Sequence, residues 1–177
     1  MFSLEIKKGS QLPYLALLIG MFAISTSAIL IRHSSSEPLV IGSYRQAFAT
    51  LIFLPFILKD RGEEIRSQSY FTIFEMILTG VLLGAHFSFF ITSVKETSVA
   101  ASVLLATCHV VYVAILGRIF FGEILSKEAV IGTSVALAGI LILFSGDLLD
   151  NPGNFMGNLF AFISGILAGL YYLSGRK

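Results

Sequence analysis

The 177-residue chain has one cysteine, Cys108, four prolines, and only 13% Asp, Glu, Lys and Arg. Each shortage removes a class of protein. A lone cysteine excludes an intrachain disulfide framework and any metal site built from several thiolates. Four prolines beside 16 glycines, with no matching repeat, exclude collagen-like and disordered chains. A formal net charge of +1 leaves no basic reserve for gripping nucleic acid, so none is expected as a partner. The charged fraction is about half the roughly 25% of soluble domains. What is abundant is apolar: 55% of residues. A soluble fold of this size cannot hide that much apolar surface. The composition specifies a polytopic membrane protein.

The charges fall between six apolar runs, each near the ~20 residues that cross a bilayer as helix. The runs are residues 12–31, 38–58, 72–94, 97–117, 129–146 and 155–173. Arg32 and His33 close the first. The second holds Arg45 and Gln46, and a charged linker, residues 59–66, follows it. Lys95-Glu96 is almost the whole connection between the third and fourth. Asp147, Asp150, Asn151, Pro152 and Gly153 mark a turn before the sixth. In lipid an open strand edge leaves backbone groups unpaired, so each run is expected to be helix. The expected fold is all-α, with six transmembrane helices.

Orientation follows from counting Lys and Arg in alternate connections. Lys7, Lys8, Lys59, Arg61, Arg66, Arg118, Lys127, Arg176 and Lys177 lie on the side of the N-terminus, and Arg32, Arg45 and Lys95 on the other. Both ends are therefore expected to be cytoplasmic, in the cell membrane. Small residues mark close helix approach: Gly80 with Gly84, Gly165 with Gly169, and the stripe Gly20, Ala23, Ser27.

The sixth run echoes the first. Laying Tyr14 over Leu159 matches Ala16 with Ala161, Gly20 with Gly165, Ala23 with Ala168, and Arg32 with Lys177. Five helices are an odd number, so a second copy of such a unit starts from the opposite face, the arrangement of inverted-repeat carriers. The chain divides accordingly: a short cytoplasmic segment 1–11, one five-helix unit over 12–146, and the first helix of a truncated second unit over 155–177.

The stretch Phe87-Ser88-Phe89-Phe90-Ile91-Thr92-Ser93-Val94-Lys95-Glu96-Thr97-Ser98-Val99-Ala100-Ala101-Ser102 resembles the EamA-type members of the drug/metabolite transporter superfamily. It looks like their third helix, tight connection and small-residue start of the fourth. Phe120-Phe121-Gly122-Glu123, then Ile131-Gly132 and Ala138-Gly139-Ile140, resembles the exit from the fourth helix and the fifth. Arg45, after Pro38-Leu39-Val40-Ile41, sits where the family commonly has an arginine early in the second helix. The resemblance implies a secondary carrier of small metabolites, with two such units in the whole protein. Helices seven to ten are missing here, so a truncated carrier is expected.

Within the runs, polar residues are few enough to name. Arg45 lies about 10 Å into the second run at 1.5 Å per residue, where charge faces a cavity or a partner. It admits two readings: holding an anionic group of a solute, or snorkelling to the interface and bonding backbone carbonyls. Gln46 points about 100° away and suits a helix–helix hydrogen bond. His109, at the middle of the fourth run, shares a helical face with Ser102, Ser98 and Tyr112. It suits substrate binding or proton coupling, or a neutral structural role. His86 has Phe90 four residues on, in a pocket or in a core. Ser25, Thr26 and Ser27 can bond carbonyls four residues back, and Ser27 can instead face the cavity. The candidate cavity residues are thus Ser27, Arg45, His86, Phe90, Ser102, His109 and Tyr112.

No phosphate-binding loop, Gly-x-Ser-x-Gly or His-Glu-x-x-His occurs. No enzyme, cofactor or metal is expected. The leading expectation is a carrier moving a small metabolite or amino-acid-like solute by alternating access, its coupling ion a proton or another cation if it has one. The alternative is a non-transporting scaffold, or a half-unit that needs a complementary unit or a second copy. The charge bias argues against pairing with an oppositely oriented copy.

Overall fold

The computed structural model describes residues 12–175, so Lys7, Lys8, Arg176 and Lys177 of the orientation count, and the segment 1–11, lie outside the described residues. It is all-helical: α1 Leu12–His33, α2 Pro38–Arg66, α3 Tyr70–Glu96, α4 Val99–Thr107, α5 His109–Phe121, α6 Lys127–Asp150, a single 3₁₀ turn Pro152–Asn154, and α7 Phe155–Ser174. With α4 and α5 counted together, six helices among the described residues are long and apolar enough to cross a membrane.

Local chemistry sets the boundaries. The Oγ atoms of Ser69, Ser98 and Ser126 accept the backbone N–H of Thr72, Ala101 and Ala129, capping α3, α4 and α6. Pro38 opens α2, where a missing N–H costs nothing. Gly122 ends α5 at φ 66°, a left-handed conformation that only glycine adopts without strain.

Three boundaries differ from the sequence expectation. Asp147 and Asp150, expected in the turn before the last helix, instead belong to the end of α6, and the turn is confined to Asn151 and the 3₁₀ residues Pro152–Asn154. The charged stretch 59–66 is not a linker but the last two turns of α2. Lys, Arg and Glu are good helix formers, and Arg61 pairs with Glu64 three residues on. The fourth run is not one helix but two, joined at Cys108, whose ψ of 8° departs from the helical value. There Cys108 O accepts from Val111 N–H at 2.9 Å and from Tyr112 N–H at 3.3 Å, a locally tightened turn.

The helix α3 is the hub: it lies against α7 most extensively, and also against α2, α4 and α1. The seam between α7 and the α3–α5 layer is built from small residues. Gly157, Ala161, Ser164, Gly165, Ala168 and Gly169 are buried. A Cβ on Gly157 would lie 2.6 Å from the Glu96 carbonyl carbon, and one on Gly165 would lie 2.4 Å from Tyr112 Cε2. Gly80 and Gly84, by contrast, have nothing within 4 Å of such a Cβ. Leu105, Tyr112, Ile140 and Ala161 form one core cluster, and Ile31, Ile91 and Val94 a second. Large apolar side chains along α1, α2 and α6 face outward. That exposure suits lipid and would be an aggregation hazard in water.

At one end of the bundle, charge ties the connections together. Arg32 donates to the carbonyls of Val94 (2.7 Å), Lys95 (2.8 Å) and Thr97 (2.9 Å). Those are carbonyls at and just beyond the last turn of α3, where a cation is favourable. Lys95 Nζ donates to the carbonyls of Ser34 (3.0 Å) and Ser36, stitching the α1–α2 loop to the end of α3. Beside them Thr97 Oγ1 donates to Asn158 Oδ1 at 2.7 Å, and Asn158 Nδ2 donates to Asp147 Oδ2 at 2.5 Å. Asn154 Nδ2 donates to the other Asp147 oxygen at 3.2 Å. The network fastens α6 and α7 to the α3–α4 connection.

Candidate functional site

A cavity of about 430 Å³ lies among α1, α2, α3, α4 and the first turn of α5. Ser27, Arg45, His86, Phe90 and His109 all line it. Five residues singled out from the sequence thus converge, although they come from four different helices.

Each side chain is placed by its helix. On α1, Ser25 and Thr26 spend their hydroxyls on carbonyls four residues back, Met21 O (2.8 Å) and Phe22 O (3.0 Å). Ser27 instead accepts a hydrogen bond from Arg45 Nη1 at 3.3 Å. Arg45 sits seven residues into α2, and its guanidinium carbon lies 4.5 Å from the centre of the Phe87 ring, a stacking geometry favourable for a cation. Of the two readings of Arg45, the side chain therefore turns to the cavity wall rather than to backbone carbonyls. Its neighbour Gln46 leaves on another side and lines a shallow groove with Phe53, Leu54 and Leu83.

His86 is tethered rather than free. Its Nδ1 lies 2.9 Å from both Ser164 O and Ser164 Oγ of α7, and Ser164 Oγ donates to His86 O at 3.1 Å. A carbonyl can only accept, so Nδ1 carries the proton and Nε2 is the ring's acceptor in the neutral form. The ring also lies tilted against Phe87 and stacked with Phe90, at 5.0 and 6.3 Å between centres. His109 opens α5 and stacks on Tyr172 of α7 at 4.8 Å.

Ser102 and Tyr112 are placed elsewhere. Ser102 is fully buried and accepts from Ser93 Oγ at 2.7 Å, within the α3–α4 contact. Tyr112 lies in the α7 seam, against Gly165 and edge-on to Phe162. On an unbroken helix Ser102 and His109 would share a face; the joint at Cys108 takes them out of register. The cavity stripe of α4 is instead Val99, Val103, Ala106 and Thr107.

Sequence reasoning missed Phe87 as the platform under Arg45 and Ser164 as the anchor of His86. A buried hydroxyl or amide in an apolar helix was the available signal for both Ser164 and Asn158. The lining contains Arg45 and two histidines but neither Asp nor Glu. Among the described residues no group of three His, Cys, Asp or Glu is arranged to hold a metal ion. The arrangement can hold a small solute by one fixed cation, a hydroxyl, imidazoles and aromatic faces.

Comparison with known proteins agrees in kind. Residues 11–145 match the family described as the EamA-like transporter family. A protein of Archaeoglobus fulgidus named only as an uncharacterized transporter is 29% identical over 121 residues. That alignment takes in 67% of this chain and 43% of the relative, so the chain spans less than half the length of the relative it matches. No solved structure gave a significant match.

Proposed function

The chain belongs to the EamA-like transporter family, and from that premise we propose that it forms one half of a solute pathway through the cell membrane. The pathway carries a small metabolite or amino-acid-like solute by alternating access, and both chain ends face the cytoplasm. A second unit, in the same polypeptide or as another chain, supplies the opposite wall. The observation that carries this reading is the cavity itself. Polar groups from α1, α2, α3 and α5 meet inside the apolar spans, Arg45 about 10 Å from the start of its helix at 1.5 Å per residue, where an unused charge is costly. A scaffold has no need for a fixed cation at that depth. A coupling proton or cation, if used, would act at this same group of residues, where His86 and His109 are the titratable candidates.

The lone cysteine makes the test direct. With Cys108 changed to Ser, a cysteine at Val103 reports on the cavity alone. A membrane-impermeant maleimide should modify Val103→Cys both in right-side-out and in inside-out vesicles, since alternating access opens the cavity to each face in turn. Modification from neither face would favour the scaffold reading.

A further inference from the structure

We propose that the cavity selects a small solute bearing one carboxylate on an apolar body, and that the guanidinium of Arg45 is the selecting group; this rests on the carrier reading above. The charge inventory of the site is one-sided. Arg45 is its fixed charge, and no Asp or Glu lines the cavity. The ion pair of Arg61 with Glu64 lies far along α2 from this site. A cation buried in a membrane helix is normally paired. Arg45 instead has one hydrogen bond, to Ser27 Oγ, at a rather long 3.3 Å, and the face of Phe87.

Those two contacts use the face of the guanidinium and one of its edge donors. Stacking on Phe87 uses the flat face of the guanidinium, whereas its five N–H donors lie around the edge. A carboxylate is the planar acceptor that matches two of those donors at once. Ser27, having accepted from Arg45, still has its own O–H to donate to the same group. Around this polar corner the wall is apolar: Ile24, Ala28, Phe90, Val99, Val103 and Ala106. The volume of about 430 Å³ falls in the range of small-molecule sites. A solute cation would meet Arg45 with no counter-charge, and in a low-dielectric wall that repulsion is large.

Three probes of one shape separate the possibilities: phenylacetate, 2-phenylethanol and phenethylamine, differing chiefly in charge. Radiolabelled binding to the purified full chain in lipid nanodiscs should favour phenylacetate at least about tenfold over the other two. In Arg45→Gln the three should fall within about twofold of each other, and Arg45→Lys should keep the order with a smaller margin. The wild-type ranking alone suffices should Arg45→Gln fail to fold. Equal or better binding of phenethylamine, no saturable binding of any probe, or an undiminished preference in Arg45→Gln would overturn the proposal. Acetate competing as well as phenylacetate would overturn its apolar half. Flux in proteoliposomes keeps this separate from the carrier reading. Arg45-dependent phenylacetate binding with no flux would sink the carrier and leave the selectivity standing. Flux of phenethylamine without anion preference would do the reverse.

Discussion

The first and last helices carry the same small residues in the same register, yet α7 buries them and α1 does not. Ala161, Gly165 and Ala168 lie in the α3–α5 seam, with Ala161 fully buried. Their counterparts Ala16 and Ala23 face outward, and a Cβ added to Gly20 would meet nothing within 4 Å. The difference lies in what stands opposite and beside the stripe. α7 meets Tyr112, Leu105 O, the Glu96 carbonyl and Thr97 Cβ at close range. It also carries Asn158 and Ser164, which bond Thr97, Asp147 and His86. The matching positions of α1 are Pro13 and Ile19, which have no side-chain polar group. In lipid no hydrophobic drive brings helices together, so close shape and polar tethers decide which stripe becomes a seam. α1 is held mainly at its other end, where Ala28 and Ile31 are buried and Arg32 is bonded to three carbonyls.

The largest effect that should separate the two helices is at Gly165. Its added Cβ would lie 2.4 Å from Tyr112 Cε2 and 2.8 Å from Leu105 O. The ring can turn aside but the carbonyl belongs to α4, so Gly165→Ala should cost about 2–3 kcal/mol, the upper part of the overpacking range. Reversible unfolding of the chain in mixed micelles would measure it. A cost below about 0.5 kcal/mol would mean that the seam is looser than its geometry and that α7 resembles α1 after all.

The polar tether comes next. Asn158→Ala removes the group that bridges Thr97 Oγ1 to Asp147 Oδ2. Asp147 would keep Asn154, and Thr97 Oγ1 would keep a 3.3 Å contact with Asp147. The partial compensation limits the expected loss to about 1–2 kcal/mol by the same assay. If Asn158→Ala proved as damaging as Gly165→Ala, the tether rather than close shape would be what distinguishes α7.

How much of this was legible in the sequence follows from the same physics. The six spans were readable because hydrocarbon enforces length and excludes charge, a constraint that local propensity barely disturbs. The helical end of α2 was misread because its charges were taken as the mark of a loop, whereas outside the bilayer Lys59 to Arg66 extend a helix readily. Arg45 and His86 stood out as polar groups amid apolar neighbours, and their meeting with Ser27 depended only on adjacent helices. Ser102 was grouped with His109 by a face rule that assumes an unbroken helix, whereas Tyr112 does share α5 with His109 and turns with it toward α7, where it fills the seam rather than the cavity. The joint at Cys108 carries no proline or glycine to announce it. The two small-residue stripes read alike, and the sequence separates them only through Asn158 and Ser164, polar residues of α7 whose α1 counterparts are Pro13 and Ile19.

The smallest effect is expected at Gly20, and it tests the comparison most severely. With open space around it, Gly20→Ala meets no atom and exchanges a poor helix former for the best one. The chain should lose nothing and could gain up to about 1 kcal/mol in the unfolding assay, the sign opposite to that at Gly165. A loss matching that of Gly165→Ala would show that the α1 stripe is already engaged in the membrane, by a second copy of the chain. In that event the two helices would be equivalent after all, each lying in a seam, and a half-unit would have found its complement. If instead Gly20→Ala is neutral in this chain and costly once a second five-helix unit is present, the stripe of α1 is a seam reserved for that unit. Such a conditional cost would make the bare helix a part of the carrier's assembly rather than a lipid-facing surface.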